Sequence, residues 1–450
     1  MTGDLRQPGA ILLVSCYELG HQPLGLAWPR AFLEAAGYAP QTLDLAVEPF
    51  DADKARRARL VAISVPMHTA LRLGVRAADQ VRRLNGSCRI VFYGLYALLN
   101  AEHLTAHGAD AVLGGELEQE LVALVRRWDA GEEPAIEPRV TLQRLPFPPP
   151  NRAGLPALTR YASLARAGEL VPAGYVEASR GCLHTCLHCP IPAVYGGRFF
   201  TVPRDVVLMD IRRLVAAGAG HITFGDPDFL NGPGHAVKLV HALHDEFPHV
   251  SYDFTAKIEH VIEQRRLFPA FGATGCAFVV SAVESLSDTV LAQLEKGHTR
   301  ADVAVALDIL RDAAIPLRPS FVPFTPWSTR DDYLELLSFV ATEGLIDHVD
   351  PVQYTIRLLI PPGSLLLSRP AIGPLLGGLD PAAFTHRWTH PDPRMDELQR
   401  AASALVERAA RASEDAWTTF NHLRVLAGGG VATPPPERPI PARLTEPWFC

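Results

Sequence analysis

Apolar residues in the first third of the chain come in short blocks separated by longer amphipathic stretches. AILLVS (10–15), residues 41–45, RLVAISV (59–65) and RIVFYG (89–94) read as buried strands. Residues 26–36, 69–84 and 97–107 carry apolar positions at helical spacing between them. Such alternation predicts an α/β unit, a parallel sheet with helices on both faces. Ligands in these sheets sit beyond the carboxyl ends of the strands. The loops there are CYELGHQPLG (16–25), PMHTALRLG (66–74) and GGELEQEL (114–121).

The rhythm breaks between 129 and 170. RLPFPPPNR (144–152) is proline-rich, which blocks helix and strand, so a linker is expected. From 174 the pattern resumes. Strands are expected near 174–179, 221–225, 251–256, 276–282, 316–322 and 351–357, with helices near 203–217, 234–246, 259–270, 300–313 and 330–343. Six parallel strands make an open partial barrel, not a closed eight-stranded one. Residues 371–391 read as loop, 394–426 as one long helix stopped by GGG at 428–430, and the proline-rich end as extended chain.

Composition narrows the function. At 450 residues the chain has ample core for two or three domains. With a net charge of −7 and no run of Lys and Arg, nucleic acid is not expected as the main partner. No apolar stretch is long enough to cross a membrane, and no signal peptide is apparent, so a cytoplasmic protein is expected. Seven cysteines, three of them clustered, suit a reducing compartment.

That cluster carries the chemistry. In EASRGCLHTCLHCPIPAVYGGRFF (177–200), Cys182, Cys186 and Cys189 form a C-x3-C-x2-C array. Three thiolates on one loop can hold three irons of a 4Fe–4S cluster. A zinc site using His184 or His188 is the rival, although the usual two-plus-two ligand spacing is missing.

The array closely resembles the cluster loop of the radical SAM superfamily, with His188 standing where an aromatic residue is common. The resemblance implies that the fourth iron is chelated by S-adenosylmethionine (SAM), and that an electron entering the cluster cleaves SAM to act on a small-molecule or peptide substrate. It also implies an electron donor such as flavodoxin or ferredoxin. By the same resemblance, GDP at 225–227 takes the place of a G-G-E motif, which makes Asp226 a candidate for the SAM amino group. Glu284 and Ser281 fall where ribose and the methionine moiety are bound, and Lys257 and Arg357 are candidates for the SAM carboxylate. Asp228, Glu259 and Lys296 are either structural or substrate-facing.

Residues 10–128, through SVPMHT and GGELEQEL, resemble the cobalamin-binding Rossmann-like domain that precedes many radical SAM barrels. That family's lower-ligand signature, D-x-H-x-x-G, is broken here: Leu19 stands at the Asp position and Gly25 falls one residue late. His21 is therefore not expected to ligate cobalt. Cobalamin then binds without a protein imidazole, or the domain has lost it and only positions substrate. The expected division is a cobalamin-binding-like domain (1–135), a proline-rich linker (136–170), a partial (β/α)6 barrel (171–370), and a helical segment with extended tail (371–450).

SAVES, DPVQ, IRLLIPPGS and the terminal LTEPWFC resemble a radical SAM group named for its Cys-Cys-Ala-Glu-Pro or Cys-selenocysteine-Ala-Glu-Pro tail. This implies that translation continues past Cys450 through a selenocysteine codon, and that Cys450 is a tail thiol able to hold substrate or a metalloid. The leading expectation is cobalamin-dependent methylation, with transfer of another SAM-derived group as the alternative. Outside catalysis, an iron–sulfur or zinc module with a structural or redox-sensing role is the rival.

Overall fold

The computed structural model describes residues 4–133, 137–435, 438 and 440–446. The first sheet contains β1 (Ile11–Ser15), β2 (Gln41–Asp44), β3 (Leu60–Ser64), β4 (Arg89–Tyr93), β5 (Ala111–Gly115) and β6 (Arg139–Thr141), all parallel, in the order 2-1-3-4-5-6. Every residue of β1, β3 and β5 is buried, as central strands with helices on both faces require. The order reverses between β1 and β3, so the crevice above that pair is the natural ligand position.

The second sheet contains β7 (Ser163–Arg166) and β8 (Glu169–Val176). A small two-stranded piece, β9 (Ser179–Gly181) and β10 (Phe199–Thr201), follows, and the sheet then continues with β11 (His221–Phe224), β12 (Ser251–Thr255), β13 (Cys276–Glu284) and β14 (Leu317–Phe321). Strands β8, β11, β12, β13 and β14 are parallel neighbours and curl into a half-barrel. The helices Arg300–Asp312 and Arg330–Thr342 on its outside each start at a capping box, Thr299 with Asp302 and Thr329 with Asp332.

Four expectations need correction. The sixth barrel strand is absent as a strand: Pro351–Tyr354 is a 3-10 turn, and only Arg357 bridges to Phe324. Pro351 has no N–H to give a ladder, and the Gln353 side chain accepts from the Phe321 amide (3.1 Å) in its place. The long C-terminal helix is two, Pro393–Arg411 and Ala416–Leu426, because Ser413 adopts φ +50° and Asp415 caps the second helix through the Trp417 amide. Residues 371–391 are not all loop, since β15 (Leu376–Asp380) and β16 (Thr385–Trp388) form an antiparallel hairpin. The tail is extended but also packed: β17 (Arg443–Leu444) adds antiparallel to β7, whose edge would otherwise be free.

The proline-rich stretch is extended, and its flanks supply β6 to the first sheet and β7 to the second. Its Leu145 and Phe147 are buried, Phe147 edge-on to Trp28 at 4.9 Å. Among the described residues, no helix is long and apolar enough to cross a membrane.

Candidate cluster and cofactor site

The cysteine loop leaves β8, the first barrel strand. Its neck is the β9–β10 ladder, closed by Cys182 N–H donating to the Arg198 carbonyl at 3.1 Å. Gly181 sits at φ +76° there, and a Cβ on it would lie 2.3 Å from that carbonyl oxygen, so only glycine fits. Cys182 and Cys186 are buried, while Cys189 is partly exposed. Burial pushes the Cys182 thiol up and the Cys189 thiol up to about 12, so thiolates here need a metal to stabilise them. Ligands of a single zinc ion at 2.3 Å lie at most about 4.6 Å apart. Among the described residues, the set of three such ligand atoms within 4.8 Å of one another is His184, Asp228 and His260, and the cysteines are not such a set. Three thiols on one loop in mutual electrostatic reach fit a multi-iron cluster.

Glu284 ends β13 in a left-handed backbone conformation, φ +64°, at a register shift against β14. Its carboxylate meets His188 Nε2 of the cluster loop at 3.1 Å and, from beyond the helix Asp288–Leu294, Lys296 Nζ at 3.5 Å. Burial works to raise its pKa, yet the Lys296 charge and the His188 hydrogen bond outweigh it and hold the carboxyl at about 2. The residue that departs from the family pattern, His188, is thus the one that meets Glu284. Ser281, on the same strand, is fully buried with an unpartnered Oγ.

The other candidates scatter. Asp226 is buried and accepts from Ala178 N–H (2.9 Å) and the Ser179 hydroxyl (2.5 Å), so it braces the chain entering the cysteine loop. Burial raises it to about 7 against those hydrogen bonds. Lys257 pairs with Glu259 at 3.1 Å. Arg357 is not brought to this group: it pairs with Asp396 at 2.6 Å, donates to the Trp388 carbonyl at 2.7 Å, and stacks on the Trp388 ring. Cys450 lies outside the described residues.

A cleft separates the strand ends of the two sheets. Its parts, 270 and 420 Å³, share Leu19, His21, Met67, Tyr175, Ile191 and Gly225 in their walls. Glycines, tyrosines and apolar side chains dominate the lining of the smaller part. His21 is buried, stacked on Tyr175 at 4.6 Å, with Nε2 2.8 Å from Glu446 of the tail. Its Nδ1 is buried without a partner, so the ring presents one free nitrogen inside the cleft. Sequence reasoning missed the charges beside it. Arg180 pairs with Glu118 (2.7 Å) and Glu177 (2.8 Å) and lies over the Phe147 ring. GGELEQEL, already marked as a strand-end turn, was the available signal for Glu118.

Residues 176–340 match the model of the radical SAM superfamily. Among curated proteins, the chain is 27% identical over 232 residues to the ribosomal protein uS12 methylthiotransferase RimO of Desulfosudis oleivorans, covering 48% of this chain and 50% of that protein. The chain thus spans about two fifths to half the length of the curated relatives it matches. Among solved structures, the cobalamin-dependent SAM radical enzyme OxsB with aqua-cobalamin bound superposes with a TM-score of 0.70 at 15% identity, over 89% of this chain and 67% of that one. The radical SAM methyltransferase TsrM of Kitasatospora setae gives a TM-score of 0.59 at 18% identity, over 74% and 71%. The half-barrel with its three-cysteine loop, residues 176–340, is a radical SAM superfamily domain.

Proposed function

We propose that this chain is a radical SAM enzyme in which Cys182, Cys186 and Cys189 hold a 4Fe–4S cluster and the reaction takes place in the cleft between the two sheets. The observation that carries the reading is the cleft itself. The ends of β1, β3, β4 and β5 face the ends of β8 and β11 across it, and Gly181 and Ile191 bring the cysteine loop into its wall. When bound, the cluster supplies the electron that cleaves a carbon–sulfur bond of SAM, and cobalamin supplies a methyl carrier.

The protein's own part is to bind, orient and exclude water. Glu284, kept ionised by Lys296, accepts hydrogen bonds from ribose hydroxyls, and the unpartnered Ser281 hydroxyl serves the methionine end. Asp226 acts behind them by fixing the entry to the cysteine loop. Arg357 is held by Asp396 outside this group, whereas Lys257, though paired with Glu259, lies around His298 together with Lys296 and Glu284, so the SAM carboxylate is assigned to Lys257. Methylation of a carbon in a small-molecule or peptide substrate, fed by a flavodoxin or ferredoxin, is the reaction these parts support.

A second reading has one observation in its favour: Leu444 and Glu446 of the tail line the larger part of the cleft. A tail thiol at Cys450 then holds a substrate or metalloid that receives another SAM-derived group. The experiment is anaerobic turnover with dithionite and SAM, with and without added cobalamin. Formation of 5′-deoxyadenosine or S-adenosylhomocysteine supports the first reading, and 5′-methylthioadenosine supports the second. Intact SAM in the presence of a full, reducible cluster would overturn both.

A further inference from the structure

We propose that His184, Asp228 and His260 form a binding site for one divalent transition-metal cation, separate from the cluster thiolates. The residues come from three elements. His184 lies in the loop between Cys182 and Cys186, Asp228 follows β11, and His260 is in the first turn of the helix Ile258–Glu263 that follows β12. One ligand atom from each lies within 4.8 Å of the others, and the two imidazole rings are 4.5 Å apart.

The hydrogen bonding among the three side chains is incomplete. Asp228 Oδ2 is 2.7 Å from His260 Nδ1 but 3.5 Å from His184 Nε2, too far for a hydrogen bond. His184 Nε2 is buried without a partner, a condition that costs about 1–3 kcal/mol where nothing else satisfies it. The other ring nitrogen has a carboxylate nearby. His184 Nδ1 faces Glu259 Oε2 at 3.5 Å, and Lys257 holds that carboxylate at 3.1 Å. Asp228 is oriented, since its Oδ1 accepts from the Leu230 amide at 3.0 Å. Side-chain exposures of 16%, 1% and 11% for His184, Asp228 and His260 put the site out of bulk water.

Two imidazoles and a carboxylate suit zinc, iron(II) or manganese(II), and leave positions open for water or a substrate oxygen. A cation here would tie the cluster loop to the ends of two barrel strands.

The test uses zinc as the probe. Cluster-loaded protein, its thiolates already taken by iron, is dialysed against zinc, and both metals are counted. One zinc per chain beside four irons is expected. His260→Ala should weaken zinc binding at least tenfold with the iron count unchanged. X-ray absorption at the zinc edge of the wild-type protein keeps the test open if a variant misfolds: nitrogen and oxygen at about 2.0–2.1 Å are expected, and sulfur at about 2.3 Å would overturn the proposal. So would wild-type protein that carries a full cluster and retains no zinc. If the cluster itself cannot be loaded, zinc is measured on the Cys182→Ala/Cys186→Ala/Cys189→Ala protein, so failure of the cluster and failure of this site are told apart.

Discussion

Arg152 sits in the stretch PPPNR, where its neighbours suggest a passive linker. Its side chain is instead mostly covered and bidentate on Asp210, with Nε to Oδ1 at 2.9 Å and Nη2 to Oδ2 at 2.8 Å. It also donates to the Tyr175 carbonyl (2.6 Å) and to Gln22 Oε1 (3.0 Å), joining the barrel to the loop that carries His21. Arg152→Met keeps most of the volume and strands Asp210, whose side chain is only 4% exposed. Removing one partner of a buried ion pair costs about 3–5 kcal/mol, and the two lost neutral acceptors add roughly 1 kcal/mol each. A drop in thermal midpoint of several degrees is expected by differential scanning fluorimetry. The double variant Arg152→Met/Asp210→Leu should recover more than half of it, because the stranded charge is gone. A single variant that melts within about a degree of wild type, or a double variant that melts below the single, would refute the assignment of Arg152 as the anchor between the two sheets.

Glu284 gives a pH prediction. A carboxyl held at about 2 instead of 4.5 contributes roughly 3 kcal/mol at any pH above 4.5, and that stability is lost as the pH falls toward 2. In urea titrations of the apo protein from pH 6 to 3, Lys296→Met should be the less stable at pH 6 and should flatten the acid slope; parallel slopes would contradict this. His21→Ala removes a contact to Glu446 and not to cobalt, so the absorption spectrum of bound cobalamin should match that of wild type. A shifted cobalamin spectrum would make His21 a ligand after all.

The strands of the first sheet up to β4 were legible because their apolar runs are bounded by polar loops. β5 was hidden by its short AVLGG sequence, and β6 by the glutamates and prolines around it. Cys182, Cys186 and Cys189 were legible as a candidate ligand set from spacing, because three thiols within eight residues need no tertiary information to lie on one loop. Glu284 was placed at its strand end by the strand pattern and given its role by resemblance, but its link to His188 spans 96 residues and depends on a kinked backbone that no local pattern announces. Arg357 failed to join the site because strand-end position says nothing about direction. Its turn lacks a strand's geometry, and the second half of the chain supplies Asp396 and Trp388 as nearer partners.

The central claim is that the cysteine loop holds a cluster with one iron open to SAM. Electron paramagnetic resonance of the anaerobically reconstituted, dithionite-reduced protein tests it, recorded with and without SAM. A spin-half signal of a reduced 4Fe–4S cluster whose g-values move on adding SAM is the predicted result, with the signal abolished in Cys186→Ala. A signal indifferent to SAM, or a full signal that persists in Cys186→Ala, would contradict it.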